Sequence, residues 1–194
     1  MGLKKYKIIL GSASKGRKAV LEKMGYDFEV LTADIDEKAI RDDNPQILTS
    51  KLANAKADAL IKKINEVALL ITADQVINYN GTIREKPETP QEAREFLKSY
   101  AKYPAEAINT IVVTDTSTGK RVEASDSKKV YFKSIPDNII DKLIAEGNVF
   151  TQAGGFSTND PLIKPYILKI QGEEDSVLGL PVKLTKKLLA KFDT

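Results

Sequence analysis

An apolar run, Val67-Ala68-Leu69-Leu70-Ile71, passes through Thr72-Ala73 to an ionisable residue, Asp74, before Val76 and Ile77 resume it. Such a run reads as a buried strand. An unpartnered carboxylate inside one is costly, so Asp74 is expected to face a cleft, a cation or a phosphate-bound metal rather than a closed core. Asn80-Gly81 then supplies the pair that best tolerates positive φ at both centres of a type I′ hairpin, and a return strand from Thr82 to Lys86 stops at Pro87. With Tyr79 opposite Thr82, counting back sets Gln75 opposite Lys86 and Asp74 on the other face. A bulge or an early end to pairing near Pro87 would turn Asp74 and Lys86 toward one cleft. Taken alone, the stretch fits an edge hairpin with a structural Asp and a solvated Lys equally well.

The rest of the chain limits the chemistry. Its 194 residues suit one domain, or one domain with a small lobe, and can bury a sizeable core. There is no Cys and no His. That removes disulfides, thiol nucleophiles, Ser-His triads and His- or Cys-ligated metals. Carboxylates, Lys, Arg, hydroxyls and amides remain, a set suited to Mg²⁺ or Mn²⁺ and to phosphate chemistry. A net charge of +3 suits an anion but is too small to argue nucleic-acid binding. No apolar run approaches the ~20 residues of a membrane span, the start is too short for a secretory signal, and Tyr6 argues against myristoylation at Gly2. The expected location is cytoplasmic, with no membrane and no nucleic acid among the partners.

Along the chain, Tyr6–Gly11 reads as a first strand, leading through Ser12-Ala13-Ser14 into a helix from about Lys15 to Met24 with Val20, Leu21 and Met24 inward. A hydroxyl-rich turn at a helix N-terminus is a natural phosphate seat, and Arg17 could add a bidentate grip. A simple N-cap fits the same residues. Phe28–Leu31 makes a short strand before Asp34, Asp36 and Glu37, acids that could hold a divalent cation or line a solvated loop. Gln46 to about Ile64 is helical, with Leu48, Leu52, Ala55, Ala59 and Ile61 expected as its buried side and Lys56 along it. After the hairpin, Thr89-Pro90 opens another helix. Ala107–Thr114 and Arg121–Phe132 predict an antiparallel pair. Pro136–Ala145 reads as a helix, and Ala153-Gly154-Gly155-Phe156 as a close backbone approach to a ligand or a tight bend. Tyr166–Gln171 reads as a strand and Ser176–Pro181 as the turn into a last helix. Ala190–Thr194 is expected to fray. Strands alternating with helices, plus a hairpin-linked section, predict an α/β fold with a mixed sheet.

The segments LGSASKGRKAVLEKMGYDFEV, ADIDE, LANAKADA, TADQVINYNGTIREKP, QAGGF and SVLGLP occur in this order. Their succession resembles the Maf family of nucleotide pyrophosphatases over nearly the whole chain. The resemblance implies a single Maf-like domain over 1–194. Its fold would be like that of the inosine triphosphate pyrophosphatases, an elongated mixed sheet flanked by helices, with two lobes around a deep cleft. It implies hydrolysis of nucleoside triphosphates between the α and β phosphorus atoms, with Mg²⁺, Mn²⁺ or Co²⁺ as the divalent metal, and a homodimer is compatible with it. By the same resemblance Asp74 is the proton acceptor. Ser12, Arg17, Lys56, Gln75, Lys86 and Asn159 would bind substrate, and Glu37 and Asp74 would hold the metal.

The chain departs from the family pattern in places. Bacterial members usually read Ser-Pro-Arg-Arg after the first serines, whereas Ser14 here precedes Lys15-Gly16-Arg17. Gln75 resembles the branch acting on methylated guanosine triphosphate rather than the branch with Thr that prefers thymidine or uridine triphosphates. Asn159 stands where a base-reading Gln or Glu is expected, so the expected substrates stay open among non-canonical, modified and pyrimidine nucleotides. A nucleotide-binding regulatory protein that has lost catalysis through Gly16 is the rival expectation.

Overall fold

The computed structural model describes residues 6–172, 176 and 178–192. Its strands are β1 (Lys7–Leu10), β2 (Phe28–Val30), β3 (Ala68–Tyr79), β4 (Thr82–Arg84), β5 (Ala105–Asp115), β6 (Arg121–Phe132) and β7 (Ile167–Gln171). The α-helices are α1 (Lys15–Lys23), α2 (Pro45–Ile61), α3 (Pro90–Ser99), α4 (Asp137–Glu146) and α5 (Val182–Leu189). The strands form one mixed seven-stranded sheet in the order β2-β1-β3-β5-β6-β7, with β4 added against β3. The expected α/β class and mixed sheet are therefore present.

The chain divides into two compact units. The first comprises Met1–Asp74, Asn109–Asp126 and Leu178–Thr194. In it β1 runs parallel to β2 and to β3, with Leu10 opposite Ile71. Parallel neighbours need crossovers, and α1 and α2 supply them. The period of two along β3 sorts its side chains. Leu69, Ile71 and Ala73 pack with Val20 and Leu21 of α1 and Leu188 and Leu189 of α5. Ala68 and Leu70 pack on the opposite face, against Ala57 and Leu60 of α2. Thr72 and Asp74 continue that second row by the same alternation. The path from β1 out to β2 and back to β3 on its other side makes a topological switch point at the carboxyl ends of β1 and β3, where open α/β sheets bind ligands.

The second unit, Gln75–Ile108 and Ser127–Val177, has its own core of Ile77, Leu97, Tyr100, Phe132, Ile140, Leu143 and Phe156 among others. Asn80 and Gly81 both adopt positive φ, 47° and 86°, as a type I′ turn requires. The hairpin register pairs Tyr79 with Thr82 and Ile77 with Arg84. The return strand ends at Arg84 rather than Lys86, so pairing stops before Gln75 is reached. The Arg84 guanidinium stacks 3.7 Å above the Tyr79 ring and 4.5 Å from Phe96, and donates to Ser99 Oγ at 2.7 Å. Gly154 takes φ +69°, and its N–H donates to the Glu85 carbonyl at 2.8 Å. A Cβ on Gly154 would lie 2.6 Å from both Ile77 Cγ1 and the Tyr100 hydroxyl. The small residues there serve a tight bend packed against protein.

Three expectations need correction. Leu48 and Leu52 of α2 are buried as expected, but they are joined by Thr49, Ala53, Ala57 and Leu60, while Ala55, Ala59 and Ile61 are only partly buried. Alanines lie all round this helix, so its pattern does not single out one face, and the close approach of Ala53 and Ala57 to the sheet decides it. The helix also ends at Ile61 rather than Ile64. At the carboxyl end, Ala190–Phe192 forms a 3₁₀ turn with Phe192 buried beside Leu188 and Leu189, so fraying does not begin at Ala190. Val177, within the expected turn before α5, lies outside the described residues, as do residues 193 and 194.

Candidate active site

Asp74 lies on β3 beyond the last β1 partner, Leu10 with Ile71, and is 6% exposed. Its Oδ1 is 2.6 Å from Lys56 Nζ, and the same ammonium reaches Glu37 Oε1 at 3.0 Å. Lys56 can face the sheet because it sits between Ala53 and Ala57, both fully buried. Its alkyl stem then runs along the protein while the ammonium meets the carboxylates. Burial pushes the Asp74 carboxyl above its ordinary pKa. Lys56 and Arg17 oppose that rise, and Glu37 adds to it. A carboxyl raised in this way sits closer to the pH at which a general base is most effective.

The three acids after β2 have separate roles. Asp36 Oδ1 accepts from the backbone N–H groups of Lys38 and Ala39, capping the turn Glu37–Ala39. That turn carries Glu37 to Lys56, while Asp34 is exposed. Among the described residues no group of three or more acids is gathered to hold a metal ion. Asp74 and Glu37 nevertheless both reach the Lys56 ammonium, so the two carboxylates lie close enough together to share a divalent cation beside it. Two carboxylates with no nitrogen or sulfur donors fit Mg²⁺ or Mn²⁺, whose remaining positions phosphate oxygens and water normally fill.

The turn after β1 is built around Arg17, which is buried. Gly11 N–H donates to the Ile71 carbonyl at 2.7 Å, extending the ladder by one residue. Ser14 caps α1, its Oγ accepting from the Arg17 N–H at 3.4 Å. The Arg17 side chain donates from Nε to the Gly179 carbonyl at 3.0 Å. Its Nη1 donates to the Ala73 carbonyl at 2.8 Å and to Ser12 Oγ at 3.2 Å. Ser12 Oγ also accepts from the Ser14 N–H at 3.2 Å. With both lone pairs engaged, the Ser12 hydroxyl has only its proton left to offer, which makes it a donor for an anionic oxygen. Burial lowers the Arg17 pKa, and the Asp74 and Glu37 charges work against that. Two acceptors of Arg17, the carbonyls of Ala73 and Gly179, are backbone groups that no residue pattern advertises.

Gly16 is packed rather than vacant. A Cβ there would lie 3.0 Å from the Leu178 carbonyl oxygen and 3.6 Å from Leu178 Cβ. An arginine at this position would require the 178–180 turn, which also holds Arg17, to give way.

Ser12, Arg17, Lys56, Glu37 and Asp74 all belong to the first unit, at the carboxyl ends of β1 and β3. Gln75, Lys86 and Asn159 belong to the second. Gln75 is half-buried on β3, Lys86 is exposed just past β4, and Asn159 is exposed in a turn where its N–H donates to Ser157 Oγ. Thr72 was not singled out from the sequence, although the alternation along β3 places it on the face of Asp74.

The sequence pattern of Maf-like proteins matches residues 7–192. A 7-methyl-GTP pyrophosphatase of Dictyostelium discoideum is 47% identical over 191 residues, covering 95% of this chain and 96% of that protein. A dTTP/UTP pyrophosphatase of Alkaliphilus metalliredigens is 33% identical over 185 residues, covering 95% of each. Among solved structures, a nucleoside-triphosphatase / dITP/XTP pyrophosphatase of Mycobacterium abscessus aligns over 96% of this chain and 95% of its own. Its identity is 11% and its TM-score 0.42, too low to bear on fold or function.

Proposed function

The chain belongs to the Maf family of proteins, and on that premise we propose that it is a nucleoside triphosphate pyrophosphatase. It hydrolyses the α–β phosphoanhydride of modified or non-canonical nucleotides to a nucleoside monophosphate and pyrophosphate. The observation that carries this is the buried Asp74, set beside Lys56 at the carboxyl ends of β1 and β3 with the Ser12 hydroxyl in the adjoining turn.

Asp74 accepts a proton from the attacking water, whose oxygen bonds to phosphorus as the bridging oxygen of the α–β anhydride leaves with pyrophosphate. Lys56 favours the ionised form of Asp74 against the effect of burial, and its charge favours phosphoryl oxygens that gain negative charge. Ser12 donates to a phosphate oxygen, and Arg17 holds that hydroxyl in place. Asp74 and Glu37 would hold a divalent cation, Mg²⁺, Mn²⁺ or Co²⁺, which when bound neutralises triphosphate charge and makes water more acidic. Gln75, Lys86 and Asn159 contribute to substrate binding. Gln75 and the similarity to a 7-methyl-GTP pyrophosphatase favour methylated guanosine triphosphate over thymidine and uridine triphosphates. No helix among the described residues is long and apolar enough to cross a membrane, and a cytoplasmic location belongs to this reading.

The test is a panel of ordinary and modified triphosphates, 7-methyl-GTP, dTTP, UTP and CTP included, with each metal and with product identification. Pyrophosphate is expected as the product, fastest from 7-methyl-GTP. Orthophosphate alone would refute the reaction. Tight nucleotide binding without hydrolysis under any metal would support the regulatory alternative.

A further inference from the structure

Thr72 stands two residues before Asp74 on β3, on the same face, and is fully buried. Its hydroxyl donates to the Ala53 carbonyl of α2 at 2.9 Å. Ala53 and Lys56 are three apart on that helix and so share a side of it. The strand and the helix are thus joined by two adjacent links, Thr72 to Ala53 and Asp74 to Lys56, the second at 2.6 Å. The Ala53 carbonyl lies in the interior of α2, where its second lone pair can accept the bond without disturbing the helix. Fully buried Ala53 and Ala57 let the helix backbone come close enough for it. On its other flank α2 is gripped from β6. There Glu123 accepts from Asn54 Nδ2 at 2.6 Å and from Ser50 Oγ at 3.1 Å, and Arg121 donates to Asn54 Oδ1 at 2.9 Å. Gly11 completes the fit, since a Cβ there would come within 2.6 Å of Thr72 Cγ2.

We infer that Thr72 is a positioning residue for catalysis, whose hydroxyl sets the distance between α2 and β3 and thereby the placement of Lys56 against Asp74. The inference rests on the roles proposed for Asp74 and Lys56. Valine has the shape of threonine but puts a methyl where the hydroxyl was. A methyl carbon stands off from a carbonyl oxygen by roughly 3.3–3.6 Å, so α2 must retreat from the 2.9 Å spacing by about half an ångström or more. Reacting groups displaced on that scale lose rate, whereas the other proposed substrate contacts, Ser12, Arg17, Gln75, Lys86 and Asn159, are not carried by α2 and are expected to hold KM near its parent value.

The experiment compares Thr72→Val, Thr72→Ala and Thr72→Ser with the unmodified protein and with Asp74→Asn. Metal is saturating, 7-methyl-GTP is varied through its KM, and rates are expressed per folded molecule from thermal denaturation. Thr72→Val and Thr72→Ala are expected to lower kcat by about tenfold or more with KM within about twofold, and Thr72→Ser to restore kcat to within about threefold. Should one of the first two fail to fold, the other carries the comparison. Unchanged kcat in these variants while Asp74→Asn is inactive would overturn the inference and leave the proposed function standing. Thr72→Ser as slow as Thr72→Val, or a loss confined to KM, would likewise overturn it. An active Asp74→Asn would overturn the assignment of Asp74 and the inference with it.

Discussion

Replacing Lys56 with glutamine removes a positive charge held 2.6 Å from Asp74 and 3.0 Å from Glu37. At such separations and an effective dielectric near 20, each direct attraction is on the order of 6 kcal/mol. Desolvation offsets most of it, and breaking a buried pair costs about 3–5 kcal/mol in practice. That range applies to the Asp74 pair, whose side chains are 12% and 9% exposed. The Glu37 carboxylate is 45% exposed, so solvent screening limits its share to about 1 kcal/mol or less. The glutamine amide can still donate one hydrogen bond, which brings the expected loss to about 2–4 kcal/mol near pH 8. Its pH dependence has a definite sign. Burial already raises the Asp74 pKa, and Lys56 is the first of the charges opposing that rise. Without Lys56 the pKa goes higher still. A carboxyl whose folded pKa exceeds its unfolded value costs the fold stability as pH rises through the folded value. The deficit of Lys56→Gln should therefore be large in weak alkali and shrink as the pH falls to the ordinary carboxylate range, by which point the raised Asp74 carboxyl has taken up its proton. Urea unfolding followed by circular dichroism at both ends of that window measures it. In parallel, kcat/KM should fall by about 10²–10³, and the acid limb of its pH profile should move to higher pH. A variant as stable as the parent at both ends, with an unmoved acid limb, would refute the coupling of Lys56 to Asp74.

Asp74→Asn should lower turnover by at least about 10³ with the fold intact. Because Asp74 is raised by burial, its stability relative to the parent should improve as pH increases, as urea titrations would show. Gly11→Ala should cost about 1–3 kcal/mol, since its Cβ would lie 2.6 Å from Thr72 Cγ2 and 2.7 Å from Leu60 Cδ1; differential scanning calorimetry reads this directly. Arg84→Lys should destabilise by about 1–2 kcal/mol by giving up the stacking on Tyr79 and Phe96, visible as an earlier midpoint in denaturant.

Local patterns made much of the molecule legible. Asn80-Gly81 specifies its own turn, because few residue pairs accept positive φ twice in succession, and the hairpin register follows from it. The strand through Asp74 follows from an apolar run too short and too β-branched at its ends for a helix. Leu48 and Leu52 on the buried side of α2 were legible, but which of its alanines join them was not, because alanine fits either a core or a surface and several positions qualify. Nor were the partners of Arg17, two of which are backbone carbonyls from distant parts of the chain and carry no residue signature.

By itself the sequence determined the kind of chemistry open to this protein. With neither His nor Cys, the side chains open to proton transfer and anion binding are carboxylates, lysine, arginine, hydroxyls and amides. It also singled out Asp74 as a candidate, the one charge inside a largely apolar strand. Only the tertiary structure decided what Asp74 meets. Lys56 and Glu37 come from elements 18 and 37 residues away, and they converge on it because β1 and β3 are adjacent parallel strands with α2 packed on one face. The seating of that helix on the sheet depends on packing and on hydroxyl contacts such as Thr72 with Ala53 and Thr49 with Thr110, quantities that a residue list does not contain.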